Sequence, residues 1–174
     1  MTYNIPQAVE ILQRTPAVLQ SLLSGLSDDW LLNNEGDETF SPYDVVGHLI
    51  HGEKTDWTAR IKIILQFDNT KPFERWDRFA QYEDSKGKTI QQLLDEFTAI
   101  RKENLQWFVS LNLTEADFER KGMHPVLGEV TLKNLLSTWV VHDLTHIAQI
   151  TRVMAKQYKT EMGPWPEFFR ILNF

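Results

Sequence analysis

The segment from about residue 132 to residue 157 constrains the fold more than any other part of the chain. Thr131 reads as a helix N-cap, and the stretch from Trp139 to Ile150 contains neither proline nor glycine. With successive residues turned by about 100°, Leu136, Val140, Leu144, Ile147, Thr151 and Met154 fall on one mostly apolar arc. A separate stripe centred on His142 carries Leu135, Thr138, His146, Gln149 and Val153. A helix of this length with an apolar side needs other helices alongside it.

Three further segments supply them. Residues 5–24 place Ile5, Val9, Leu12, Val18, Leu19, Leu22 and Leu23 at helical spacing, with a kink or restart at Thr15-Pro16 and a stop at Gly25. Ser41-Pro42-Tyr43-Asp44 opens a helix predicted over 42–67, with Ser41 as cap, Pro42 in the first turn and Asp44 in the capping-box position. Thr89 and Gln92 open another, predicted over 89–110. Residues 68–88 read as a long loop with at most a short turn, of the kind that is usually functional, and Gly122 to Gly128 as a second loop. The aromatic tail from Pro164 to Phe174 is expected to dock on the bundle or on a second subunit. With no alternating strand pattern, the prediction is all-α: an up-and-down four-helix bundle forming one domain over residues 1–174.

Composition narrows the chemistry. A net charge of −6 lacks the basic face that a phosphate-backbone binder needs, so no nucleic-acid partner is expected. The chain has no cysteine, so any metal must be held by nitrogen and oxygen. No signal peptide and no membrane-length apolar run is visible, and the expected location is cytoplasmic with no membrane partner. Neither a nucleophile-elbow serine motif nor a phosphate-binding glycine loop occurs, and no catalytic residue can be named.

His142 and His146 stand one helical turn apart, which points both imidazoles the same way. Imidazole is the commonest side-chain metal ligand, yet the spacing fits two hydrogen-bonded or exposed histidines equally well. A third ligand would have to come from the helix at 42–67, where Asp44, His48, His51, Thr55 and Ala59 share a polar face opposite an apolar one. His48 and His51 are rivals for that place. If the polar face turns inward, Asp44, His51 and Thr55 line a pocket beside His48, opposite Thr138 and Gln149. His124 reads as a surface-loop residue, and Glu53 and Asp143 as surface or inter-helix ion-pair partners.

Together the residues bear a resemblance to a known family. Ser41-Pro42 opening a helix, His48-Leu49 with Glu53 and Trp57 following, the Gly122-Met123-His124-Pro125 to Gly128-Glu129-Val130 segment, and Trp139 with His142-Asp143, His146, Gln149 and Arg152 resemble the DinB-like superfamily over nearly the whole chain. The resemblance implies a homodimeric four-helix bundle with a divalent ion on His48, His142 and His146. It also implies metal-dependent enzymes: thiol-dependent S-transferases that use low-molecular-weight thiols, or hydrolases acting on a small-molecule substrate. A non-catalytic metal-binding or dimeric interaction protein is the alternative. Zinc or nickel suits imidazole ligands. Since a ligating imidazole must be neutral, affinity is expected to fall below a pH of about 6.5.

Overall fold

The computed structural model describes residues 2–173, and its helices begin where the sequence places caps. The first bundle segment is divided as the proline requires. Helix α1 (Ile5–Leu12) opens on Asn4, whose side chain accepts the Gln7 N–H at 3.2 Å, and α2 (Thr15–Leu23) restarts with Pro16 in its first turn. Gly25, at φ +76°, follows the end of α2, and a short helix α3 (Asp28–Leu32) comes next.

The second segment departs from the prediction of one unbroken helix. It forms α4 (Pro42–Thr55) and α5 (Trp57–Phe67), jointed at Asp56 with φ −109° and ψ −76°. Neither proline nor glycine marks the joint. Thr55 Oγ1 donates to the His51 carbonyl at 2.8 Å, and such back-bonding to residue i−4 bends helices. The long loop holds a 3₁₀ turn at Asp68–Thr70 and helix α6 (Gln81–Ser85). Helix α7 (Ile90–Ser110) begins with a closed capping box of Thr89 and Gln92. A short helix α8 (Glu115–Phe118) leads to a second departure, because residues read as a loop form an antiparallel hairpin. Its strands are β1 (Lys121–His124) and β2 (Gly128–Thr131), with Lys121 opposite Thr131 and His124 opposite Gly128. The Phe73 N–H donates to the Met123 carbonyl at 2.8 Å and fastens the hairpin to the long loop. Helix α9 (Leu132–Gln157) closes the bundle, capped by Thr131 with Asn134.

The four bundle segments do not take neighbouring places in chain order. The α1–α2 segment packs mainly against α7 and α9, and so does the α4–α5 segment. The chain can reach these diagonal places because the connections at 24–41 and 111–131 are long. The two helices that carry histidines, α4 and α9, are therefore direct neighbours.

The core has two apolar halves. Trp57, Ile61, Ile64, Phe73, Phe108 and Trp139 anchor one. Leu19, Leu23, Phe40, Leu49, Leu94, Phe97 and Ile150 anchor the other. Arg101 lies between them, its guanidinium 4.8 Å from the Phe97 ring centre and 5.5 Å from that of Trp139. The tail docks less completely than expected. Leu172 is buried, but Trp165, Phe168 and Phe169 keep 62%, 77% and 48% of their surface exposed. Among the described residues, no helix is long and apolar enough to cross a membrane.

Candidate metal centre

His48 projects from the middle of α4, and His142 and His146 project from successive turns of α9. His48 Nε2 lies 3.2 Å from His142 Nε2, and His146 Nε2 lies 3.1 Å from the same atom. One ligand nitrogen from each of the three residues fits within a 4.8 Å cluster, which is the metal-compatible grouping found among the described residues. Nitrogens bound tetrahedrally at zinc distances are separated by roughly 3.3 Å, so the spacing suits a shared ion.

The hydrogen-bond inventory agrees. His146 Nδ1 is 2.8 Å from Gln149 Oε1, so this ring donates there and turns a lone pair toward the cluster. The Nδ1 atoms of His48 and His142 are buried with no partner at hydrogen-bond distance. The three facing Nε2 atoms cannot all satisfy one another with the protons available, and a cation among them would remove that conflict.

Electrostatics keep the rings neutral. Burial, reinforced by the neighbouring histidines, lowers the His48 pKa to about 3 and the His142 pKa to about 2. Burial also lowers that of His146, against the raising effect of its Gln149 hydrogen bond and the Asp143 charge. Protons therefore compete for these nitrogens at a lower pH than the free-histidine value of about 6.5 implies.

Behind the histidines lies a dry ionic cluster. Arg101 donates to Asp143 through both terminal nitrogens, at 2.5 and 3.0 Å, to Glu53 at 2.9 Å and to the Leu12 carbonyl at 2.8 Å. Trp139 Nε1 and Asn104 Nδ2 also donate to the Glu53 carboxylate, at 3.0 and 2.8 Å. Glu53 and Asp143 thus pair between helices as the sequence allowed, but in the interior, not on the surface. Asp143 follows His142 directly, so the cluster fixes the pitch at which α9 presents its histidines.

The histidines open into a cavity of about 750 Å³ whose lining includes Phe40, Asp56, Trp57, Arg60, Phe73, Trp76 and Leu135. Thr138 and Gln149 line it, and Gln149 turns its carbonyl oxygen to His146. Asp44, His51 and Thr55 are placed elsewhere. The Asp44 carboxylate closes the cap, accepting from the Ser41 N–H at 3.0 Å and the Ser41 hydroxyl at 2.7 Å. His51 and Thr55 line a smaller recess of about 400 Å³ on the other side of Trp76. The Trp76 ring stands 5.0 Å from His48 and 5.3 Å from His51, and its Nε1 donates to Thr55 at 2.9 Å, so indole fills the gap between the histidines. His124 belongs to the cavity wall as well as to the hairpin, its Nδ1 accepting from the N–H groups of Val126 and Leu127 at 3.2 and 3.1 Å. Glu35, Phe40 and Arg78 were missed as wall residues because only the fold brings the 34–40 and 72–80 connections over the histidines, and Arg60 of α5 was missed with them.

Comparison with known proteins agrees with this fold. YfiT from Bacillus subtilis (strain 168), named "Putative metal-dependent hydrolase YfiT", is 27% identical over 155 residues, which cover 83% of this chain and 81% of the relative. A solved structure of YfiT matches with a TM-score of 0.75 at 25% identity, over 88% of this chain and 87% of that one. It is described as "a probable metal-dependent hydrolase with an unusual four-helix bundle topology". The sequence pattern of the DinB superfamily matches residues 11–150, and the chain belongs to that superfamily.

Proposed function

We propose that this protein is a metal-dependent hydrolase of a small molecule, with one divalent ion held by His48, His142 and His146. The observation that carries the reading is the convergence of three Nε2 atoms, spaced 3.1 and 3.2 Å apart, at the floor of an aromatic-walled cavity. Held by three neutral imidazoles, a divalent ion would supply Lewis acidity toward a carbonyl and toward water. Zinc or nickel fits the all-nitrogen donor set.

The protein's own groups do the rest. Gln149 holds the His146 tautomer, and the Arg101 cluster holds α9 in register with α4. Phe40, Trp57, Phe73 and Trp76 give an apolar wall that keeps the bound carbonyl from bulk water.

The test is metal content by mass spectrometry after purification without a histidine tag, followed by hydrolysis assays on ester and amide panels. His48→Ala, His142→Ala and His146→Ala should each lose most of the metal, while His51→Ala keeps it. A metallated protein that ignores esters and amides but consumes a low-molecular-weight thiol with an electrophile would be an S-transferase. One inert to all of them would be a non-catalytic binding protein.

A further inference from the structure

Cavity charges, paired off one by one, leave the Arg78 guanidinium and the Glu38 carboxylate without an ion-pair partner among the described residues. Three arginines line the wall. Arg60 Nε lies 2.5 Å from the Asp56 carboxylate, and Arg152 lies 2.6 Å from Glu35, which Lys156 also meets at 2.7 Å. Arg78 has no carboxylate within ion-pair distance among the described residues. Its one hydrogen bond, a long 3.4 Å contact, goes to the backbone carbonyl of Glu38 and not to the Glu38 side chain. It is nonetheless placed: the guanidinium sits 5.3 Å from the Phe40 ring centre and 4.7 Å from that of Phe79. The Phe40 ring is in turn 5.2 Å from the His48 ring. One aromatic ring therefore separates the candidate metal centre from an exposed, unpaired cation at the same cavity.

The charge balance points the same way. The wall carboxylates Glu35, Glu38 and Asp56 match the three arginines in number. Three imidazoles neutralise none of a divalent ion's charge. The buried Glu53–Arg101–Asp143 cluster offsets part of it, and the metallated site is cationic even so.

We propose that the substrate is an acyl compound bearing a carboxylate, which Arg78 binds while the scissile carbonyl lies at the histidine centre and an apolar spacer crosses Phe40. A planar guanidinium matches a carboxylate in a two-pronged hydrogen-bond geometry, and the aromatic wall suits the spacer. This inference rests on the metal-dependent hydrolase reading above.

The test uses two metal-chelating probes of equal chain length, adipic monohydroxamate and hexanoyl hydroxamate, titrated calorimetrically into the metallated protein at low ionic strength. Wild type should bind the carboxylate-bearing probe about tenfold more tightly, the size of a charge-assisted hydrogen bond. Arg78→Gln should erase that preference and leave hexanoyl hydroxamate unchanged, while Glu38→Gln should keep it. Equal binding of both probes by wild type, or a preference that survives Arg78→Gln, overturns this inference alone. If neither probe binds the metallated protein, the hydrolase reading fails and this inference with it.

Discussion

Gln149 illustrates how one hydrogen bond sets the state of a candidate ligand. Its carbonyl oxygen takes the Nδ1 proton of His146 and so leaves the lone pair of the other ring nitrogen facing His142. Gln149→Leu should lower metal affinity by roughly 10- to 100-fold without unfolding the protein, and Gln149→Glu should preserve it, as measured by competition with a calibrated chelator. The clustering of His48, His142 and His146 was legible because spacing and family pattern both point to them. The roles of Gln149 and Trp76 were not, because a helical wheel shows which way a side chain leaves its helix and not what stands in front of it. His51 differs from His48 by less than a turn, and the Trp76 ring alone assigns them to different recesses.

Among the elements, long helices were the easiest to read. Ser41, Thr89 and Thr131 each close a capping box, and each marks a helix start in both sequence and structure. The joint at Asp56 left no mark, since a threonine hydroxyl bonding back into the helix looks like any other threonine. The hairpin escaped for a different reason: strands of four residues are too short to show a period, and their stability comes from docking on Phe73 and Ile64. Gly122 is where that docking is tightest. A Cβ there would lie 2.6 Å from Phe73 Cζ and 2.8 Å from Ile64 Cγ1, both in buried side chains. Gly122→Ala should destabilise the protein by about 1–3 kcal/mol through overpacking, seen as a lowered midpoint in thermal denaturation.

For the molecule as a whole, the all-α bundle was legible from four amphipathic segments, but the order of helices around it was not, because periodicity fixes faces and leaves neighbours free. The exposed tail rings bear on assembly. Trp165 and Phe168 stand side by side with ring centres 6.1 Å apart and are both exposed, and a homodimer that covers them remains our proposal. Light scattering at micromolar concentration should then give twice the chain mass of 20.4 kDa, and Trp165→Ser with Phe168→Ser should return it to that value.

Arg101 has a consequence for how the chain reaches this structure. Through one side chain it touches α1 at Leu12, α4 at Glu53 and α9 at Asp143, while itself belonging to α7. A partial assembly of two or three segments would strand a guanidinium or a carboxylate in a drying interior, and an unmatched buried charge is far costlier than a matched one. Half-built assemblies are penalised for that reason, so the cluster favours closure of all four segments over any partial packing. His48 and His142 belong to two of those segments, so the spacing of the candidate ligands depends on the same closure.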